Sequence, residues 1–230
     1  MDFAKLLCLG TIAAIALGCA ALAQTQDPDE SLRLYAVHID RVPKQSWTGY
    51  GIYLGNGLVI TAAHVVGRAA LFINPRVEIA GKELPATVIK QGSFEGVDLA
   101  LLGIEQSQLP VSLRLRRMTV CKHPSVPGEE VIVAIPEGIS RSRVIAPNRI
   151  PRNIAPKFRT AISDVATTGN SGSGVFDANT QCLLGIVSAK ITQTLKRDEN
   201  GRAVEKTRDV AKYFVPAPVI AEFIPPEYHF

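Results

Sequence analysis

Three residues spread along the chain are of the types that carry out nucleophilic acyl transfer: His64, Asp98 and Ser171. A serine hydroxyl is a weak nucleophile at neutral pH until an imidazole removes its proton, and a buried carboxylate fixes the tautomer of that imidazole. Ser171 lies between glycines in a tight turn, which exposes its Oγ. The predicted chemistry is attack by Ser171 on a carbonyl carbon, with His64 as the base and Asp98 as its partner.

The turn around Ser171 also offers a place for the negative charge that develops on the carbonyl oxygen. Gly169, two residues earlier, lets a backbone N–H point at the same small volume as the N–H of Ser171. We predict that these two groups form an oxyanion hole. Glycine- and serine-rich strings also occur in linkers, so this prediction depends on His64 and Asp98. The other histidines lack such surroundings and are expected to be surface or incidental residues: His38, His123 and His229.

The first 23 residues have the pattern of a secretory signal peptide. Lys5 supplies the positive charge, Leu6–Ala16 is apolar, and Ala21–Ala23 has small residues at its ends, which predicts cleavage near Ala23. The apolar run is short and contains glycine, so no stable membrane anchor is expected, and a lipidated Cys19 is the weaker alternative. The mature protein is therefore expected to be secreted or periplasmic and to begin with a flexible leader over residues 24–31.

Two cysteines remain after cleavage, Cys121 and Cys182. In an exported protein a single disulfide between them is the simplest interpretation, and two separate buried thiols are the alternative. Their surroundings lack a second ligand pair at a zinc spacing, so we expect no metal and no cofactor. The net charge is +4, and removal of Asp2 and Lys5 with the signal peptide leaves it unchanged.

Strand patterns dominate the rest of the chain. Short apolar runs alternate with turns such as Gly55-Asn56-Gly57, and the only helical pattern covers residues 217–224. These features predict an all-β sandwich or barrel. The polar stretch Leu113–Gly128 divides it into halves of similar size, at about 32–112 and 129–215. His64 and Asp98 fall in the first half and Ser171 in the second, so we expect the site to lie between them.

Residues Arg141–Arg159 are strongly basic and contain three prolines. The pattern is typical of an irregular, solvated surface loop. The alternative is a patch that steers acidic substrates or anionic surfaces towards the protein. The basic residues of this segment do not alternate with aromatic ones, so nucleic-acid binding is not expected.

Three segments resemble motifs of one family. Thr61–His64 reads Thr-Ala-Ala-His, Val97–Leu102 reads Val-Asp-Leu-Ala-Leu-Leu, and Gly169–Phe176 reads Gly-Asn-Ser-Gly-Ser-Gly-Val-Phe. They resemble the motifs of bacterial trypsin-like serine peptidases of the chymotrypsin superfamily, in the HtrA and glutamyl-endopeptidase branches. Phe214–Ile224 is similar to the closing strand and terminal helix of those branches, and the resemblance covers about residues 32–225.

The resemblance implies two antiparallel six-stranded β-barrels with the active site between them, a short C-terminal helix, and hydrolysis of peptide bonds through an acyl-enzyme. Protein or peptide substrates are the implied partners. Ser188, Ala189 and Lys190 would pair with the substrate backbone as an edge strand. Val165, six positions before Ser171, implies an apolar or small P1 side chain, and Asp164 is the alternative, serving a basic P1 residue.

Several positions depart from the family pattern. Asn170 stands where zymogen-type trypsins carry an aspartate, so activation by a newly cut N-terminus is not expected. Gly174 replaces the usual proline, and Val187 stands where glutamyl endopeptidases carry a specificity histidine. No PDZ-like domain follows Phe230, so a monomer is expected rather than the HtrA trimer.

Two other functions are compatible with the same residues. One is a non-catalytic binding or adhesion module on a chymotrypsin-like fold, because fold alone does not fix function. The other is an esterase that uses the same His-Asp-Ser chemistry on a different substrate. The sequence favours the endopeptidase over both.

Overall fold

A computed structural model of the chain describes residues 28–40, 49–67, 74–150, 159–163, 170–199 and 202–228. The predicted signal peptide lies outside these ranges, as do Val165 and Gly169. Within the described ranges, no helix combines the length and the apolar character needed to cross a membrane. Antiparallel strands make up most of the described structure, which confirms the predicted all-β class.

The first six strands close into a barrel. Their order around the barrel is β1-β2-β3-β6-β5-β4, and β1 pairs with β4 to complete the ring. Side chains alternate between the interior and the exterior along each strand, so the β-branched residues of one face form the core. The strands are β1 (Ala36–Asp40), β2 (Gly49–Gly55), β3 (Leu58–Thr61), β4 (Arg76–Ile79), β5 (Lys82–Gln91) and β6 (Ala100–Ile104).

The hairpin between β2 and β3 turns at Gly55-Asn56-Gly57, as the sequence predicts. All three residues have positive φ angles, of 109°, 52° and 77°. Glycine and asparagine adopt such angles at the lowest cost, so this turn sets the register of β3. The strand then ends at Thr61, three residues before His64.

The last six strands form a second antiparallel sheet in the order β8-β7-β10-β11-β12-β9. The sheet curls until its two end strands approach each other, and a single isolated bridge between Val144 and Ile162 joins them. Among the described residues, the second barrel is therefore closed less completely than the first. Its strands are β7 (Glu130–Ile135), β8 (Gly138–Arg143), β9 (Ala161–Ser163), β10 (Gly174–Asp177), β11 (Leu183–Glu199) and β12 (Arg202–Pro216).

Short helices connect and terminate the two barrels. The α-helices are α1 (Ala63–Val66), α2 (Val111–Arg114) and α3 (Ala217–Phe223), and the last lies where the sequence predicts a helix over residues 217–224. One continuous apolar cluster packs between the barrels, and it draws Ile52 and Leu101 from the first and Phe176 and Ile186 from the second. This shared core holds the two halves of the candidate site at a fixed separation.

The structure differs from the sequence-based predictions at the boundaries of two predicted segments. The predicted irregular loop over Arg141–Arg159 begins later, because β8 extends to Arg143. The predicted leader over residues 24–31 is replaced from Pro28 by a 3₁₀ helix, Pro28–Tyr35. The strand β8 is defined by its backbone pairing with β7 from Gly138 to Arg143. Ion pairs accompany both changes, since Arg141 binds the buried Asp29 of the 3₁₀ helix and Arg143 binds Glu130 of β7.

Candidate active site

His64 and Asp98 form a doubly hydrogen-bonded pair at the rim of the first barrel. The two side chains meet at 2.7 Å between His64 Nδ1 and Asp98 Oδ2. The backbone N–H of His64 also donates to Asp98 Oδ1, over 3.0 Å. An ionised carboxylate accepts the proton of Nδ1 and leaves the lone pair on Nε2, which is the tautomer that a general base requires.

Asp98 is only 3% exposed, although Val97 beside it is 42% exposed. The carboxylate also accepts a hydrogen bond of 2.5 Å from Ser188 Oγ, which belongs to the second barrel. Burial alone would raise the pKa of Asp98, but the hydrogen bonds from His64 and Ser188 hold this pKa below its ordinary value of 3.8. Asp98 is therefore ionised at neutral pH, and three donors fix its orientation.

An aromatic residue and a small cleft surround this pair. The ring of Phe94 meets that of His64 edge to face, with 5.5 Å between the centroids. A cleft of about 110 Å³ lies beside Asp98, and it is lined by Phe94, Asp98, Ser188, Ala189 and Tyr213 among others. Burial and the negative charge of Asp98 both raise the pKa of Tyr213, so its phenol remains neutral.

Ser171 lies on a turn that is fixed to both barrels. Its carbonyl oxygen accepts a hydrogen bond of 3.0 Å from the Tyr50 N–H of β2. The next N–H, that of Gly172, donates to Val187 on β11 over 2.8 Å. Gly172 has a φ of +88°, and a β-carbon there would lie 1.8 Å from the Tyr50 carbonyl oxygen. Only glycine fits this contact, which explains the residue that follows Ser171.

The hydroxyl of Ser171 donates to the carbonyl oxygen of Ser188 over 3.4 Å, which is long for an O–H···O bond. Ser188 therefore contacts two of the three predicted catalytic residues, through its carbonyl oxygen to Ser171 and through its hydroxyl to Asp98. Gly169 and Val165 lie outside the described residues, so the oxyanion hole and the P1 wall stay predictions.

The predicted substrate-binding segment lies on β11. Ser188 is buried, Ala189 is half-buried and Lys190 is exposed, with its Nζ donating to Asp209 over 2.9 Å. Along this segment β11 pairs with β12 on one side, whereas its ladder with β10 reaches no further than Ile186. The other edge of β11 therefore carries no partner strand among the described residues.

Sequence reasoning missed one contribution to this site and one buried histidine outside it. It assigned Ser188 to substrate binding but gave its hydroxyl no role, because a contact across 90 sequence positions leaves no local pattern. It also treated His38 as incidental. His38 is 7% exposed, its Nε2 lies 2.5 Å from Glu137 Oε1, and its ring packs against that of Tyr50. The position of His38 between Val37 and Ile39, within an apolar strand pattern, was the available sequence signal that this histidine is buried.

The predicted disulfide between Cys121 and Cys182 is confirmed, with 5.1 Å between their α-carbons. It joins the segment between the barrels to the start of β11. The departure at Gly174 also has a structural reason. A β-carbon at this residue would lie 2.6 Å from Ile52 of the first barrel, so glycine permits close packing between the barrels.

Comparisons with known proteins agree with this architecture. The model of the trypsin-like peptidase domain family matches residues 49–186. No curated protein sequence matches the chain. Three similar structures are at most 21% identical in sequence and show the fold alone.

The active form of the Rv3671c protease from M. tuberculosis is 21% identical with a TM-score of 0.55, covering 84% of this chain and 80% of that one. The MamO protease domain from Magnetospirillum magneticum is 19% identical with a TM-score of 0.56, covering 84% and 97%. The scabies mite inactivated protease paralogue S-I1 is 14% identical with a TM-score of 0.56, covering 83% and 92%. The matched model spans more than half of the sequence, and we conclude that the chain belongs to the trypsin-like peptidase domain family.

Proposed function

We propose that the protein is an exported serine endopeptidase that hydrolyses peptide bonds through an acyl-enzyme on Ser171. The observation that carries this proposal is the arrangement around Asp98. This carboxylate is buried and ionised, and it accepts hydrogen bonds from the ring and the backbone of His64. A third bond comes from Ser188, the residue to which the Ser171 hydroxyl donates. An ion of this kind stabilises the imidazolium that forms during acyl transfer.

The reaction begins when Ser171 Oγ attacks the carbonyl carbon of the substrate and His64 Nε2 takes the hydroxyl proton. Rotation about the Cα–Cβ bond of Ser171 exchanges the long 3.4 Å bond to Ser188 for one to His64. Catalytic hydrogen bonds are often long before substrate binds, and they tighten in the complex. The N–H groups of Gly169 and Ser171 would hold the oxyanion of the tetrahedral intermediate.

The intermediate then collapses. The C–N bond breaks, His64 returns its proton to the leaving amine, and the acyl group remains on Ser171 as an ester. Water enters, loses a proton to His64 and attacks the ester carbonyl. The C–O bond to Ser171 breaks, and the proton on His64 restores the serine hydroxyl.

Peptide substrates would add to the edge of β11 that faces away from β12 at Ser188–Lys190, where backbone hydrogen bonds would align the scissile bond with Ser171. The P1 side chain would meet Val165, which favours an apolar or small residue. A cleaved signal peptide ending near Ala23, together with the Cys121–Cys182 disulfide, supports a secreted or periplasmic location. We expect the mature protein to act as a monomer without a cofactor.

Fluorophosphonate labelling of the mature protein tests the proposal. The reagent esterifies an activated serine, and peptide mapping locates the adduct. We expect the label on Ser171 in the wild type, no label in Ser171→Ala, and a fall in peptide turnover on the order of 10⁶ in that variant. Ser173→Ala is the matched control, because Ser173 lies two residues away and its buried Oγ has no hydrogen-bond partner among the described residues.

The proposal fails if correctly folded wild-type protein takes up no label and cleaves no protein substrate. It also fails if the label maps to another serine and persists in Ser171→Ala. A parallel panel of ester and amide substrates distinguishes the endopeptidase from an esterase, which would hydrolyse the esters alone.

A non-catalytic binding module is the second candidate. The observation that favours it is the direction of the Ser171 hydroxyl, which donates to Ser188. A protein with the same fold, the scabies mite paralogue, is named as inactivated. Under this alternative, wild type and Ser171→Ala have identical effects in every assay, whereas the endopeptidase loses its effect with Ser171.

A further inference from the structure

Tyr50 contacts the turn that carries Ser171 through both its backbone and its side chain. Its N–H donates to the carbonyl oxygen of Ser171 over 3.0 Å, and its phenol forms a hydrogen bond with the side-chain amide of Asn170. Because Asn170 and Ser171 are consecutive, one residue of the first barrel holds the chain both before and after the Ser171 N–H. The catalytic steps proposed above use neither the phenol nor this amide.

The peptide unit between Asn170 and Ser171 has a defined direction. The Asn170 carbonyl oxygen accepts a hydrogen bond of 3.0 Å from the Ser173 N–H. In a trans peptide the C=O and N–H groups point in opposite directions, so the Ser171 N–H points away from the Ser173 N–H. Within the described ranges this N–H donates to no acceptor. It is therefore available to a substrate oxygen, and its direction follows that of Asn170.

The side chain of Tyr50 is itself held in place from both barrels. Its ring packs against that of His38 on β1, with 5.5 Å between the centroids and 42° between the planes. His38 is buried, and its Nε2 lies 2.5 Å from Oε1 of Glu137, in the turn between β7 and β8. The Tyr50 carbonyl oxygen accepts a hydrogen bond of 2.6 Å from Thr61 Oγ1. These contacts fix the point from which the phenol reaches Asn170.

The phenol of Tyr50 stays neutral at the pH at which His64 would act. Burial and the negative charge of Glu137 raise its pKa, and the hydrogen bond with Asn170 offsets only part of this rise. A neutral phenol can hold the amide of Asn170 without placing a negative charge beside the predicted oxyanion hole. Such a charge would oppose the one that develops on the substrate.

We propose that Tyr50 is a positioning residue, whose phenol holds the Asn170–Ser171 peptide unit in the orientation that directs the Ser171 N–H at the oxyanion. This inference rests on the proposed function, because it uses the Ser171 N–H as an oxyanion donor. An N–H that already points at the developing charge needs no reorientation during the reaction, and such preorganised donors lower the barrier. Tyr50 acts here through Asn170 and Ser171.

Tyr50→Phe removes the phenol oxygen and keeps the ring, so it tests this contact directly. We expect kcat and the rate of fluorophosphonate labelling at Ser171 to fall about tenfold with KM unchanged, because the lost bond matters in the transition state. Tyr53→Phe is the matched control. Tyr53 lies on the same strand, but its phenol accepts the Gly57 N–H over 3.3 Å inside the first barrel. This variant should lose stability alone and keep the kcat of the wild type.

A double-mutant cycle distinguishes positioning from a general loosening of the fold. Asn170→Ala should lower kcat about as much as Tyr50→Phe does. The double variant should lose no more than either single variant, because both substitutions remove the same hydrogen bond. Independent structural effects would instead multiply, to a loss of about a hundredfold.

NMR gives a readout of the contact that does not depend on catalysis. The side-chain amide resonances of Asn170 should shift in Tyr50→Phe and stay in place in Tyr53→Phe. Unchanged resonances in Tyr50→Phe would overturn the inference, whatever the activity.

The kinetic results separate this inference from the proposed function. Tyr50→Phe with the kcat and labelling rate of the wild type would overturn the inference and leave the peptidase standing. A loss confined to KM, or losses that multiply in the double variant, would do the same. A correctly folded wild type that takes up no label would overturn the proposed function, and this inference with it.

Discussion

The two barrels contribute to the candidate site in different ways. The first closes through six antiparallel ladders, and it holds His64 and Asp98 in a pair joined by two hydrogen bonds. Among the described residues, an isolated bridge and a few hydrogen bonds join the edges of the second, which carries Ser171 on a turn and an edge of β11 without a described partner strand. The predicted proton-transfer pair thus belongs to the fully closed barrel, and the predicted substrate-binding groups belong to the more open half. The first barrel would thus hold the charged groups in position before substrate binds, and the second would admit the substrate.

The largest effect should come from breaking the pair in the first barrel. Asp98→Asn keeps the shape of the side chain but allows the wrong tautomer of His64. We expect kcat to fall by about 10⁴ while the protein remains folded. Steady-state hydrolysis and circular dichroism measure the two properties. A fall below about tenfold would mean that Asp98 does not act on His64 in the reaction.

The turn of Ser171 is the next test, because it joins the barrels. Gly172→Ala places a β-carbon against the Tyr50 carbonyl, so the turn must move away from the first barrel. We expect a loss of about 3–5 kcal/mol of unfolding free energy together with loss of labelling at Ser171. Gly81→Ala is the matched control, since Gly81 also has a positive φ, of 71°, but a β-carbon there meets nothing within 4 Å. The control should lose only about 1 kcal/mol of unfolding free energy. Equal losses in the two variants would show that the positive φ angle, and not the contact with the Tyr50 carbonyl, causes the destabilisation.

The disulfide belongs to the more open half of the molecule. Cys121→Ser with Cys182→Ser removes a cross-link between residues 61 positions apart. Loop entropy gives an expected loss of about 4 kcal/mol, which urea unfolding measures. Hydrogen exchange should increase in β10 and β11 and remain unchanged in the first barrel. An equal increase in both barrels would contradict the division between them.

The smallest effect concerns the hydrogen bond that crosses between the barrels at Asp98. The lowered pKa of Asp98 stabilises the fold above pH 3.8, and this contribution is lost as the pH falls through the lowered value. Ser188→Ala removes one of the donors that lower the pKa. We expect acid unfolding to begin at a higher pH and kcat/KM to fall by about tenfold at neutral pH. An unchanged acid transition would show that His64 alone sets the pKa of Asp98.

The sequence predicts the parts of the structure that local chemistry determines. The turn Gly55-Asn56-Gly57 requires positive φ angles, and glycine and asparagine are the residues that adopt such angles most readily. The apolar run Leu99–Ile104 predicts a buried strand, and β6 occupies Ala100–Ile104 of it. Asp98 is the residue directly before this run. The glycines around Ser171 predict an exposed hydroxyl, and the structure adds that Gly172 is also required by a contact with Tyr50.

The sequence does not predict features that depend on distant residues. The edge strand β8 has a half-exposed, basic pattern, and it is stabilised by ion pairs of Arg141 and Arg143 with other segments. The hydroxyl of Ser188 reaches Asp98 only after the barrels have docked.

The hydrogen bond from Tyr50 to the Ser171 carbonyl has a consequence for the order of events during synthesis. Tyr50 belongs to the barrel that leaves the ribosome first, whereas Ser171 follows more than a hundred residues later. Under the proposed mechanism, a chain in which only the first barrel has folded possesses the predicted base but neither the predicted nucleophile nor the predicted substrate edge. Cleavage can begin only when the second barrel has docked against β2. The proposed peptidase would therefore be inert until the two barrels have docked, without a separate inhibitor.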